Sequence, residues 1–292
     1  NRLMTTLDGS TIQLGPLTDS AVNHWLSTAS GTSSISLDAL SKISEGNPLS
    51  MKALLFTSIA SGGQTNLSPN SSMQVILESQ YRIWKLKATP SARVGVHSLG
   101  ILGQRVTQTE WREVQQCIDP SMTHDPIECA VNAQVVAFGS DGTVGFRHGL
   151  FADVVRKDVE SDGNYQRYHN VVAHYLADEP TADHGRVAQH FQSAGAYAEA
   201  AKHHFENGVH YRDQSDYENL RMSLFESAKS LRKARVPLDD DRWGRLTIFW
   251  SLAWRVKGPH PASQRRLHRL CEKVVGGENY KLICFSFMEK SR

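Results

Sequence analysis

The sequence predicts a mainly α chain built in three tracts, and three observations carry that expectation. Apolar residues recur at helical spacing through most of the 292 residues. One stretch, Ser61 to Ser72, is almost wholly polar and turn-forming and divides the chain. β-Branched runs come together in one place only, Ala133 to Phe138 and Thr143 to Phe146, around the turn Gly139-Ser140-Asp141-Gly142.

The first tract, residues 1–62, reads as short helices. Leu17-Thr18-Asp19-Ser20 supplies capping residues ahead of a helix carrying Val22, Trp25 and Leu26. Leu37, Leu40 and Ile43 mark an amphipathic segment that stops near Gly46. Pro48 suits the first turn of a further helix running through Leu54 and Ile59, because proline fixes φ where no amide donor is needed. Residues 63–72 are the linker.

In the second tract, residues 73–160, Val75, Ile76, Ser79, Ile83 and Trp84 give a helix from Met73 to Lys85. Val94, Val96, Leu99 and Leu102 give another, with Gly103 as its stop. Thr107-Gln108-Thr109-Glu110 matches a capping box ahead of Trp111, Val114 and Cys117. Three helices followed by one β-hairpin is the plan of a winged-helix domain.

The third tract, residues 164–292, reads as helical throughout. Val187, Ala188, Phe191 and Ala194 line one face. Tyr197, Ala200, Ala201, His204, Phe205 and Gly208 follow at helical spacing, with small residues that allow close helix approach. Tyr217, Leu220, Leu224, Ala228 and Leu231, then Trp243, Leu246, Thr247, Trp250 and Trp254, continue the theme. The expectation is a stack of antiparallel helix pairs of tetratricopeptide type, without a clean 34-residue period.

Composition narrows the function classes. Thirty-two basic and 30 acidic residues nearly cancel, which argues against a globally electrostatic partner such as nucleic acid. No window approaches 18 consecutive apolar residues, so no membrane span is expected, and the N-terminus lacks the order of a signal peptide. Cys117, Cys129, Cys271 and Cys284 form no C-x-x-C pair and read as reduced thiols of a cytoplasmic protein. A start at Asn1 rather than Met hints at a fragment or processed product.

No active site is expected. There is no Gly-Lys dipeptide, hence no phosphate loop, and no H-E-x-x-H. Val96-His97-Ser98-Leu99-Gly100 lacks the first glycine of a nucleophile elbow. His184, His190, His203, His204 and His210 do not share a helix face at i, i+4, so they read as packing or surface residues rather than metal ligands. Between Arg242 and Cys271 there are seven Lys/Arg and no acid; with the tryptophans on one stripe, this reads as a solvated basic face over a core. In the third helix of the second tract, Glu110 and Glu113 against Arg112 alone oppose contact with phosphates.

Several short segments occur in a telling order over residues 10–235. They are Ile12 to Leu17, then Ser44-Glu45-Gly46-Asn47-Pro48-Leu49, Leu99-Gly100-Ile101-Leu102-Gly103, and Phe146-Arg147-His148-Gly149-Leu150 running on to Val155. Arg167-Tyr168-His169, Val172-Ala173 and Ala194-Gly195-Ala196-Tyr197 come after them. This succession resembles the signal-transduction ATPases with numerous domains, AAA-related switch proteins that include MalT-like activators and the ATPase regions attached to class III adenylyl cyclases.

The resemblance implies a partial lid subdomain at 1–62, a winged helix and a repeat sensor, with the nucleotide-binding core preceding residue 1. It implies that Pro48 packs near adenine and that His148 contacts the β-phosphate of ADP, so ATP or ADP with Mg belongs to the parent protein and these residues hold no cofactor alone. It further implies a regulatory role, with a protein partner or small ligand on the repeats and the ATPase core as an internal partner. A free-standing repeat scaffold binding protein partners is the alternative expectation, followed by a winged-helix DNA-binding regulator.

Overall fold

A computed structural model describes residues 73–103, 105–121, 127–132 and 135–257, with isolated positions 6, 7, 10, 11, 17, 18, 20, 21, 24, 47, 48 and 51. The chain divides into two compact units, residues 1–159 and 160–292. The fold class is the expected one: mainly α, with a small antiparallel sheet in the first unit and helical hairpins in the second. The linker at 63–72, most of the expected helices of 1–62 and the basic tail beyond Lys257 lie outside the described residues.

Near the N-terminus, β1 (Thr6–Leu7) pairs antiparallel with β2 (Ser10–Thr11), a hairpin that the helical reading of this tract did not contain. The Asp8-Gly9 dipeptide between the strands is its sequence signal. The Thr18 hydroxyl accepts from the Ala21 amide at 3.4 Å, so a capping residue sits where the sequence placed one.

From residue 73 the order is α1 (Met73–Lys87), α2 (Pro90–Leu102), β3 (Arg105–Thr107), α3 (Gln108–Ile118), α4 (Ile127–Asn132), β4 (Val136–Phe138), β5 (Thr143–Phe146) and α5 (Gly149–Ser161). The strands form one antiparallel sheet in the order β3-β5-β4. Two details differ from the sequence reading. The first hairpin strand begins at Val136, and the residues before it carry a short helix. A third strand, β3, lies beside β5; at three residues with only Val106 buried, it is too short to show a period.

Side-chain caps start α2 and α3. Thr89 accepts from Ala92 ahead of Pro90, and Thr107 accepts from Glu110 as the capping box requires. Val96, Leu99, Trp111, Val114, Val144, Phe151 and Val155 form the centre of the buried set in this unit. Gly100 is demanded by packing: a Cβ there would lie 2.6 Å from Cγ1 of Val155, so α2 and α5 touch through its bare backbone.

The second unit comprises α6 (Tyr165–Ala177), α7 (His184–Ser193), α8 (Tyr197–Asp213), α9 (Tyr217–Lys233) and α10 (Asp241–Lys257). Three helix ends are closed the same way. Gly195, Ser215 and Arg235 have φ of 78°, 59° and 54°. The next residue, Ala196, Asp216 or Val236, donates its amide back to the carbonyl of Phe191, Tyr211 or Leu231. These positions recur every 20 residues, so the repeat here is one helix plus a three-residue turn, which explains why a 34-residue period is not found. Ser215 and Arg235 occupy a left-handed conformation that disfavours any side chain. Ser215→Gly and Arg235→Gly are each expected to raise stability by about 0.5–1 kcal/mol in urea unfolding; a loss in both would contradict the turn geometry.

Candidate functional site

His148 sits in the bend that enters α5. The Leu150 amide donates to its Nδ1 at 3.1 Å, and the Phe151 amide donates to its carbonyl at 2.9 Å. Burial lowers the ring's pKa below the ordinary histidine value, so it is neutral near pH 7. With Nδ1 accepting, the proton resides on Nε2, which makes the ring a neutral donor at a helix N-terminus. The first turn of α5 carries no acid, and the preceding Arg147 is exposed. That combination suits an anionic oxygen.

Pro48 is exposed and begins a helical turn, in which the Met51 amide donates to the Asn47 carbonyl at 3.0 Å and Met51 is fully buried. Its local role is therefore helix initiation, and no hydrogen bond joins it to His148 among the described residues.

A polar cluster absent from the sequence reading ties α1, α2 and α5. Asp158 Oδ2 accepts from the Tyr81 hydroxyl at 2.7 Å and lies 2.9 Å from His97 Nε2. Its Oδ1 accepts from Lys85 at 2.7 Å. Tyr81 and His97 are themselves 3.1 Å apart. Burial alone would raise the Asp158 pKa, but the hydrogen bonds from Lys85, Tyr81 and His97 outweigh it and hold the carboxyl below the ordinary value. Each member is engaged by another, which is the chemistry of a structural tie rather than of a reactive group. The available signals were Asp158 on the apolar stripe of Val155 and Val159, and His97 among the buried residues of α2.

In the second unit a cavity of about 270 Å³ opens between α8, α9 and α10. Its apolar surface comes from Ala198, Ala201, Phe205 and Leu231, and Glu199, Lys202, Glu206 and Arg245 add charge of both signs. Arg242 also lines it but is held by Asp240 through two bonds of 2.8 and 2.9 Å. The same guanidinium lowers the Asp240 carboxyl to about 2. Of the tryptophan stripe, Trp243 is buried and Trp250 half-buried against it, as a core reading requires. The first two arginines of the basic run thus border a cleft, one of them already neutralised.

The histidines are brought together across helices, where same-helix spacing shows nothing. His169 on α6 meets His190 on α7, with Nδ1 atoms 2.9 Å apart. His184 on α7 meets His203 on α8 at 3.2 Å. They are packing residues, as expected, but paired ones. Among the described residues no helix is long and apolar enough to cross a membrane.

No protein-family model matches this chain, and no curated protein sequence matches it. Among solved structures, the chain is similar to a Signal Transduction ATPase with Numerous Domains (STAND) protein with a tetratricopeptide repeat sensor from Pyrococcus horikoshii, with 9% identity and a TM-score of 0.40 over 98% of this chain. The chain spans 55% of the length of that protein. A likeness that distant carries no functional weight, so function is read from the residues of this chain.

Proposed function

We propose that this chain is a regulatory and protein-interaction segment of a nucleotide-dependent switch ATPase whose catalytic core lies outside these residues. The observation that carries the reading is the cleft of α8, α9 and α10, an apolar floor with charges of both signs, on a stack of hairpins suited to presenting a surface to a protein or small ligand. The helix–strand–helix–helix–hairpin order of residues 90–146 supports the winged-helix reading, in which this module would pass changes at the core to the stack.

In this reading the segment is not an enzyme by itself and holds no metal. Mg with ATP or ADP binds the core, with Pro48 near adenine and His148 Nε2–H on a phosphate oxygen. A hydrogen bond to a charged group contributes about 1.5–3 kcal/mol, whereas even millimolar binding needs about 4 kcal/mol. The segment alone therefore holds ADP poorly. The setting is cytoplasmic. Nucleic acid is not proposed as a partner, because Glu113 is exposed on α3 beside Arg112.

The test is the intact mass of the endogenous protein, followed by ADP binding with the core supplied. A species well above 32.5 kDa is expected, and His148→Ala in it should weaken ADP by roughly 10–100-fold. An endogenous species of 32.5 kDa would favour the free-standing scaffold instead. Unchanged ADP affinity would remove His148 from the site.

A further inference from the structure

We infer that the two cross-helix histidine pairs form an acid-sensitive latch that holds α7 between α6 and α8 and lets the stack open as the pH falls below neutral. The geometry makes α7 the shared element: His184, its first residue, pairs with α8, and His190, near its end, pairs with α6. Phe191 adds to the same seam, stacked on the His203 ring at 5.4 Å and meeting the His174 ring edge-on at 5.1 Å.

An Nδ1···Nδ1 contact of 2.9 or 3.2 Å needs one proton between two nitrogens. One ring must be a neutral acceptor. If both rings take up protons, two N–H groups face each other and two positive charges stand about 3 Å apart, at a site where His169, His190 and His203 are buried. The contact cannot survive that state. Both ends of α7 would be released by the same chemistry.

The surrounding charges favour the neutral rings. Burial, then His169 and Arg186, lower His190 to about 3. Burial, then His184 and Lys202, lower His203 to about 4, with His204 adding to this and Glu199 opposing it. From α9, Glu226 raises and Lys229 lowers the neighbouring His204, which burial lowers overall. On the α6 side, the Tyr165 ring packs edge-on against His169 at 4.4 Å.

These shifts set the direction of the pH effect. The folded His190 and His203 rings titrate below the ordinary value of about 6.5, so the open state binds protons there that the closed state does not. The stabilisation is complete above about pH 6.5 and is lost as the pH falls from there towards 4 and 3. Each of His190 and His203 should raise the opening constant by roughly thirty-fold between pH 7.5 and pH 5.

The test is amide hydrogen exchange on the full chain at pH 7.5 and pH 5, with protection factors corrected for intrinsic exchange rates. Protection of α6, α7 and α8 should fall at least tenfold, while that of α2 and α3 stays within a factor of about three. The double variant His190→Leu, His203→Gln should lose most of the pH response. Should it fail to fold, His184→Gln serves, since it leaves His203 without an imidazole partner and should weaken the response. An equal fall in α2 and α3, no fall in α6 to α8, or an undiminished response in the folded variant would overturn the latch.

Discussion

Asp158→Ala is expected to destabilise the first unit by about 2–4 kcal/mol, because it removes the acceptor on which three donors converge. Tyr81 and His97 are only 4% and 3% exposed, so their polar ends would lose a charged partner without gaining full hydration. Lys85 is about a quarter exposed and recovers water when the partner is gone, which keeps the cost below the top of the usual range for a broken buried pair. Asp158→Asn keeps the shape but turns one acceptor into a donor, and about 1–2 kcal/mol is expected. Urea unfolding of the three proteins reads the differences directly. The pH response gives a second check. The folded carboxyl titrates below its ordinary value of 3.8, so its contribution is present above that pH and is lost only as the pH falls through the lower folded value. The carboxyl's own titration should therefore add no pH dependence to the difference between wild type and Asp158→Asn from pH 8 to pH 5. A cost under about 0.5 kcal/mol for Asp158→Ala would mean the cluster is an incidental surface contact.

The features legible in the sequence came from local chemistry. The Thr107–Glu110 cap, the stop at Gly103, the helix start at Pro48 and the hairpin turn at Gly139–Gly142 each depend on residues within four positions of one another, and the structure contains all of them. The failures share a cause too. Asp158 and His97 are 61 residues apart, and His169 and His190 are 21 apart on different helices, so no helical period links them. A half-buried carboxylate beside Val155 and Val159 is nonetheless a sign that a cation or donor waits elsewhere. The period of the second unit was missed for a different reason. Its marker is backbone conformation, and only Gly195 among the three left-handed residues announces itself by type; Ser215 and Arg235 do not. In α3 the expected apolar trio was Trp111, Val114 and Cys117, but Cys117 is exposed and Gln115 is buried beside Ile118. The polarity of Gln115 disguised the true face.

Trp111→Ala should carry the largest penalty of any single truncation in the first unit, about 3–5 kcal/mol. The ring is fully buried in a unit whose other core residues are mostly Val, Leu and Ala, so no large neighbour is poised to refill the space. Its indole N–H also donates to the Gly95 carbonyl at 2.8 Å and to the Ser98 hydroxyl at 3.0 Å, fastening α3 to α2. Cavity and hydrogen bond can be separated. Trp111→Phe removes the donor and part of the volume, but the Ser98 hydroxyl still donates to the Gly95 carbonyl at 2.8 Å, so that acceptor stays satisfied. About 1–2 kcal/mol is therefore expected for Phe, and most of the Ala penalty is assigned to the void. Unfolding in urea, followed by near-ultraviolet signals of the first unit, distinguishes the two contributions. Equal penalties for Phe and Ala would shift the weight to the hydrogen bond. A small penalty for both would mean that the α2–α3 seam closes over the gap, in which case the contact of Gly100 with Val155 would have to yield as well.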